Sequence, residues 1–333
     1  MSVCYDKLWK LLIDKGLNRT DLKEMAGISF NVLAKMGKGE NVSLESLYKV
    51  CLVLNCNIGD IMEAKYKMIY NGMEKGKNKM QYEDMIFKVP VESPDYKENS
   101  EFVIRQMNLI LDRQKEMGDN KIVINTNLRM GLPLENINKI AGPMIEAWAG
   151  EVFAGIRDDM DNPYRLVNVE AQERLGMADI ILQFKKDDKS ITGNVDVKAT
   201  ANDIPNSGKG PNITSFSRIR TAYVKDPDFM FIILSIKHKV YVQRNERTKL
   251  MDGIMEIVDY NAYDLKYISD ADINYNPALG TGQIQIKDIH YVTYQYRTTW
   301  EMCKLLDSKY LHSSRRSIDD FYREAKKNKW IKN

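Results

Sequence analysis

The sequence predicts an α/β domain with a mixed β-sheet flanked by helices, preceded by a separate all-α domain. Apolar and β-branched residues over 178–184 and 191–200 flank a short charged turn, and a further apolar run covers 228–238. These runs have the length and composition of strands. Helical spacing before and after them predicts flanking helices, whereas residues 1–65 show helical spacing only. We therefore expect two domains of different class.

The composition is that of a globular protein with a mildly basic charge. The chain has 333 residues, of which 44% are hydrophobic, and its formal net charge is +3. This charge allows an anionic partner without requiring one. No apolar run approaches the roughly 18 residues of a membrane span, and Asp6, Lys7 and Lys10 argue against a signal peptide. We expect no membrane association.

The cysteines and histidines do not form a zinc motif. The four cysteines include no C-x-x-C pair and the three histidines are scattered; they are Cys4, Cys51, Cys56, Cys303, His238, His290 and His312. Without a signal peptide, the chain is expected in the reducing cytoplasm.

Five short helices are predicted in the N-terminal segment, over residues 5–15, 21–26, 30–36, 44–54 and 58–63. Asn18 or Thr20 can cap the second helix, Gly27 ends it, and Ser29 can cap the third. Two helices joined by a tight turn with glycine form the helix-turn-helix arrangement, whose second helix enters the DNA major groove. An all-α protein-interaction module is the alternative.

The segment RTDLKEMAGISFNVLAKMGKGENVSLESLYKVCLVLNCNIGDIME resembles the Cro/C1-type (lambda-repressor-like) helix-turn-helix family. The resemblance covers nearly all of the first 65 positions. It implies that the start of the third helix reads bases, with Phe30, Asn31 and Lys35 as contacts. It also implies that Ser29 and Thr20 contact phosphates. We assign residues 1–65 to this domain, 66–95 to a linker and 96–333 to a catalytic domain.

The hairpin over residues 178–200 carries the strongest candidate site. If Asp187-Asp188 is a two-residue loop, residues whose numbers sum to 375 face each other, as Asp179 and Asp196 do. Lys198 shares their face, because side chains alternate along a strand. Two facing carboxylates repel unless a cation compensates them, and hard oxygen ligands favour Mg²⁺. A solvated strand face is the alternative, and a bulge at Gly193 would break the register.

A helix beginning near Gly142-Pro143 supplies a third carboxylate. Its apolar stripe is interrupted at one edge by Glu146, while Glu151 is the less favoured candidate. A rim carboxylate that only meets water is an equally good interpretation of Glu146. Between Lys198 and Lys225 there are five basic residues against one acidic residue. A polyanionic phosphodiester needs such a border, so Lys209, Arg218 and Arg220 are candidate DNA contacts.

Taken together, Glu146, Asp179, Asp196 and Lys198 resemble the PD-(D/E)xK nuclease superfamily over roughly residues 135–300. The DVKAT context is similar to type II restriction endonucleases, although Ala178 stands where the motif has proline. The resemblance implies a restriction-endonuclease-like fold and Mg²⁺-dependent cleavage of double-stranded DNA. A homodimer is expected because a symmetric site is most simply read by a two-fold protein, and both strands must be cut.

Two other functions are compatible with this sequence. One is a transcriptional regulator whose C-terminal domain is a non-catalytic sensor or dimerisation unit. The other combines both activities, with the helix-turn-helix domain repressing its own operon while the C-terminal domain cuts DNA. The complete set of Asp179, Asp196 and Lys198 favours an enzyme, because a domain without catalysis has no need for it.

Overall fold

The computed structural model describes residues 2–65, 81–171, 176–278 and 280–332. The chain divides into two compact units, Met1–Asn78 and Lys79–Asn333. In the described ranges, no helix is both long and apolar enough to cross a membrane.

The first unit is a bundle of five short helices closed by two short strands. In chain order its elements are β1 (Ser2–Cys4), α1 (Asp6–Asp14), α2 (Arg19–Ala26), α3 (Phe30–Gly37), α4 (Leu44–Leu54), α5 (Ile58–Ile61) and β2 (Glu63–Lys65). Leu8, Leu22, Val50 and Ile61 are fully buried and form the centre of a core of its own. The strands β1 and β2 pair antiparallel and bring the two ends of the unit together. The prediction of five helices is confirmed.

Local sequence explains where the two helices of the helix-turn-helix begin and end. The side chain of Asn18 accepts hydrogen bonds from the backbone N–H groups of Thr20 and Asp21, which caps α2. Gly27 ends α2 with a φ of 61°, a left-handed conformation that glycine adopts without steric cost. Ser29 caps α3 by accepting from the N–H of Val32 at 3.3 Å. The cap and the glycine thus fix where α3 starts.

The second unit is built on a six-stranded mixed sheet. The strands of the whole second unit are β3 (Lys121–Ile124), β4 (Leu166–Ala171), β5 (Ile180–Lys186), β6 (Lys189–Ala201), β7 (Asn212–Ser215), β8 (Phe231–Arg244), β9 (Met251–Asp264), β10 (Ile273–Asn276) and β11 (Gln283–Ile286). Its helices are α6 (Tyr96–Met117), α7 (Leu134–Lys139), α8 (Ala141–Asp158), α9 (Phe216–Lys225), α10 (Thr299–Leu311) and α11 (Ile318–Lys327). In the six-stranded sheet the strand order is β3-β9-β8-β6-β5-β4. The neighbours β6 and β8 are parallel, and all other neighbouring strands are antiparallel. The predicted α/β class with a mixed sheet is confirmed.

Both faces of this sheet are covered by apolar cores. Val195 and Val197 of β6 pack in the core that α6 and α8 share with the sheet. Phe231 and Ile233 of β8 belong to the core on the opposite face, with α9, α10 and α11. Because side chains alternate along β6, Asp196 and Lys198 lie on this second face, next to Ile233.

Three predictions about irregular segments need correction. Residues 82–95, assigned to a linker, belong to the second unit, because Tyr82, Met85 and Phe87 pack in its core; residues 66–80 lie outside the described ranges. The glycine and asparagine content of residues 275–286 indicates a loop, but the region contains β11, which pairs with the distant β7 and β10. The composition of residues 291–296 indicates a short strand, but the region makes a single bridge, from Tyr294 to Ile268.

Candidate active site

The register of the central hairpin agrees with the one predicted from its turn. Residues of β5 and β6 pair from Lys186 with Lys189 to Ile180 with Val195, without a shift. Gly193 is not a bulge; a Cβ atom there would lie 3.1 Å from Val103 Cγ1, so the glycine allows α6 to pack closely. The one-to-one register ends at Ile180 and Val195, one position short of Asp179 and Asp196.

Asp179 lies directly before β5 and is fixed to β6 by two hydrogen bonds. Its backbone N–H donates at 2.9 Å to the carbonyl of Val195, which is already the register partner of Ile180, so Asp179 lies one residue out of the hairpin register. Its carboxylate Oδ2 accepts from the N–H of Val197 at 2.7 Å. The side chain is therefore held against the strand that carries Asp196 and Lys198.

Asp196 is a buried carboxylate with a lysine as its partner. It is 5% exposed, and its Oδ2 lies 2.7 Å from Nζ of Lys198. Beyond this ion pair, that oxygen makes no contact of hydrogen-bonding geometry within the described residues. Burial raises the pKa of Asp196 to about 7, against the lowering effect of Lys198. A carboxylate of this kind gains strongly from a cation that replaces its lost hydration.

Glu146 of α8 reaches the same site across a cavity. The cavity has a volume of about 670 Å³ and is lined by Glu146, Glu151, Ala178 and Asp179, among others. Burial and the negative charge of Asp179 raise the pKa of Glu146, and the ammonium of Lys198 opposes that shift. The half-buried carboxylate of Glu146 thus lies within the electrostatic field of Asp179 and Lys198. Glu151 lines the same cavity from an exposed position.

The donor set fits a hard divalent cation in part. Asp179 and Asp196 offer carboxylate oxygens, and among the described residues the Asp196 Oδ2 atom has no partner besides the ammonium of Lys198. No group of three carboxylate, imidazole or thiol side chains among the described residues converges into a complete metal site. Mg²⁺ typically takes one or two carboxylates and completes its shell with water and substrate phosphate. A pair of carboxylates such as Asp179 and Asp196 matches that preference.

The structure exposes the residues predicted to contact DNA in the first unit. The five side chains that were predicted as contacts are all exposed to solvent: Thr20, Ser29, Phe30, Asn31 and Lys35. Phe30 is 68% exposed at the start of α3, with the ammonium of Lys23 located 4.9 Å from the centre of its ring. An exposed aromatic ring beside a cation is a suitable surface for nucleic acid.

Of the three predicted basic contacts in the second unit, Arg220 is a wrong prediction. Its guanidinium is fully buried and bonds to both carboxylate oxygens of Asp307, at 2.9 and 3.1 Å. The inward face of α9 places it there. Arg218 is exposed in the first turn of the same helix. Lys209 is half exposed and forms an ion pair with Asp288.

Comparison with known proteins finds a sequence family for each of the two units. Residues 83–329 match the family model "Type II restriction endonuclease HpaI", and residues 7–67 match the "Cro/C1-type HTH DNA-binding domain". The type II restriction enzyme HpaI of Haemophilus parainfluenzae is 73% identical over 253 residues, which are 76% of this chain and 100% of that protein. A crystal structure of the transcriptional regulator VanUg is 52% identical, covers 19% of this chain and 83% of that chain, and has a TM-score of 0.18.

The family match overrides the interpretation of the second unit as a non-catalytic regulator. It covers most of the unit that contains the hairpin, the cavity and the Asp196–Lys198 pair. Type II restriction enzymes act on DNA and generally require a divalent metal ion. The chain therefore belongs to the HpaI family of type II restriction endonucleases and is a site-specific deoxyribonuclease.

Proposed function

We propose that this endonuclease hydrolyses phosphodiesters of double-stranded DNA with Mg²⁺ held by Asp179 and Asp196. The observation that carries the proposal is the buried Asp196 carboxylate, which lies 2.7 Å from Nζ of Lys198 on the strand whose Val197 N–H holds the carboxylate of Asp179. When bound, Mg²⁺ would polarise a phosphoryl oxygen and stabilise negative charge in the transition state. The two aspartates give that ion its protein ligands.

Lys198 acts in this proposal as an electrostatic group. Its Nζ lies 2.7 Å from the carboxylate of Asp196. A fixed cation next to the scissile phosphate stabilises the charge that develops on the phosphorane, and it can orient the attacking water. Because it has no acceptor atom, the ammonium contributes nothing to metal coordination.

Glu146 has a supporting role across the cavity. Its half-buried carboxylate lies in the field of Asp179 and Lys198. We assign Glu146 to a second metal position or to the water that completes the shell of the ion, since carboxylates next to a metal site commonly orient such water. Glu146→Gln should then lower cleavage less than Asp196→Asn does.

The helix-turn-helix unit adds a second DNA-binding surface or autoregulation. The match to the HpaI of Haemophilus parainfluenzae takes in the whole of that protein with 253 residues of this chain, so the first unit is additional to it. Phe30, Asn31 and Lys35 on exposed positions of α3 would read bases, while Thr20 and Ser29 contact phosphates. In the second unit, Lys209 and Arg218 would contact the backbone of the cleaved DNA.

We also propose a homodimer that acts in the cytoplasm. Two copies related by a two-fold axis would present one active site to each strand of a symmetric DNA sequence. All four cysteines are free thiols, and Cys4, Cys51 and Cys303 are buried. Free thiols are typical of reducing compartments.

Plasmid cleavage in Mg²⁺, measured beside a gel-shift assay in Ca²⁺, tests this function. Asp196→Asn and Lys198→Ala should each abolish cleavage and retain DNA binding. Lys189→Ala is the matched control, because Lys189 lies at the turn end of the same strand and is 73% exposed. Cleavage by Asp196→Asn at the wild-type rate would refute the site, and loss of binding together with cleavage would indicate misfolding.

A further inference from the structure

Beside Lys198 on the sheet lies a buried serine that is bonded to a histidine. Lys198 of β6 and Ser235 of β8 are register partners. Neighbouring strands lie about 4.8 Å apart and register partners project from the same face, so Ser235 is the next side chain to the catalytic lysine. Ser235 is fully buried, and its Oγ lies 3.1 Å from Nδ1 of His290.

The partners of His290 determine which way the serine hydroxyl points. Its Nε2 lies 3.1 Å from Oδ2 of Asp259, and a carboxylate only accepts, so Nε2 carries the proton. Burial lowers the pKa of His290, which keeps the ring neutral and leaves Nδ1 as an acceptor. Ser235 therefore donates its proton to His290. The two lone pairs of its oxygen stay available to a donor on the same face.

The backbone around His290 is anchored on both sides of the ring. The side-chain amide of Asn261 donates to the backbone carbonyl of His290 at 2.8 Å. The hydroxyl of Tyr263 donates to the backbone carbonyl of Ile289 at 2.5 Å. The N–H of Ile289 donates to the carbonyl of Gly208, in the loop that follows β6, at 2.9 Å. The imidazole is thus held in one place relative to β8, β9 and that loop.

Lys198 has a donor to spare. An ammonium carries three N–H donors. In the described part of the chain, Lys198 Nζ forms an ion pair with Oδ2 of Asp196 at 2.7 Å and donates to the carbonyl of Val197 at 3.3 Å. We propose that in the complex with DNA Ser235, with its hydroxyl oriented by His290, is a positioning residue that accepts from Lys198 and holds the ammonium in place for catalysis. This inference rests on the proposed role of Lys198.

Two amide replacements of His290 separate its two contacts. The amide of asparagine reaches the position of imidazole Nδ1, so His290→Asn can keep the bond to Ser235. The amide of glutamine reaches the position of Nε2, so His290→Gln keeps the bond to Asp259 and loses Ser235. We expect Ser235→Ala and His290→Gln to lower the single-turnover cleavage rate at saturating DNA on the order of 10- to 100-fold, as loss of an orienting partner does. His290→Asn should retain most of the rate.

The readouts besides activity are DNA affinity in Ca²⁺ and the unfolding temperature without metal. Both quantities should be the same in His290→Asn and His290→Gln. The control is His312→Asn, because His312 is exposed and bonds within its own helix. Equal cleavage by the two His290 variants, or a rate that merely follows the unfolding temperature, would overturn the inference. Lys198→Ala gives the cleavage rate without the lysine. If this variant cleaves normally, the proposed function fails. If it is inactive while Ser235→Ala is fully active, only the role of Ser235 is refuted.

Discussion

Replacing Arg220 with methionine should destabilise the second unit without weakening its contact with DNA. The guanidinium of Arg220 and the carboxylate of Asp307 are both fully buried. Without arginine, that carboxylate keeps one hydrogen bond, from the hydroxyl of Tyr82 at 2.8 Å. Removing one partner of a buried ion pair costs about 3–5 kcal/mol, because the remaining charge is uncompensated.

The expected loss is large enough to measure by thermal unfolding. In a unit spanning Lys79–Asn333, 1 kcal/mol corresponds to about 2–4 °C in Tm, so Arg220→Met should lower Tm by roughly 6–20 °C. Tryptophan fluorescence reports on the site directly, since the rings of Trp300 and Trp330 lie 5.6 and 5.2 Å from the guanidinium carbon.

A double variant identifies the cause of that loss. Combining Arg220→Met with Asp307→Leu removes both charges, so its Tm should lie above that of either single variant. An unchanged Tm in Arg220→Met, together with weaker gel shifts in Ca²⁺, would refute this reasoning and restore Arg220 as a DNA contact.

Three further predictions concern the metal, the first unit and the assembly. Burial raises the pKa of Asp196 to about 7, so Ca²⁺ affinity measured by calorimetry should rise as pH increases to that value and then level off, because binding requires the carboxylate; an affinity independent of pH would contradict this. Asn31→Ala combined with Lys35→Ala should weaken gel shifts in EDTA and preserve plasmid cleavage, and an unchanged gel shift would count against α3 as the reading helix. Sedimentation should give the mass of two chains, and a monomer both free and on DNA would exclude the symmetric arrangement.

The active-site hairpin could be predicted because its geometry is local. A two-residue loop at Asp187-Asp188 sets every pair along the two strands, and the observed register follows it to Ile180 and Val195. Helix caps in the first unit were predictable for the same reason, since Asn18 and Ser29 bond to backbone groups two or three residues away.

Features that depend on distant partners were not predictable from spacing. Arg220 was counted as a basic border residue, and its partner Asp307 lies 87 positions away. The strand β11 is short and polar at alternate positions, and only its pairing with β7 and β10 defines it. Ser235 stood inside an apolar run, where nothing in the sequence relates it to His290, 55 positions later.

Calorimetric titration of Ca²⁺ into the DNA complexes of Asp196→Asn and Lys198→Ala tests the central claim most directly. Both variants are expected to be inactive, for different reasons. Asp196→Asn removes a metal ligand, so its heat of Ca²⁺ binding should disappear, whereas Lys198→Ala removes only a cation and should bind Ca²⁺ at least as tightly as the wild type. Wild-type Ca²⁺ binding by Asp196→Asn would contradict the assignment of Asp196 as the metal ligand at the centre of this site.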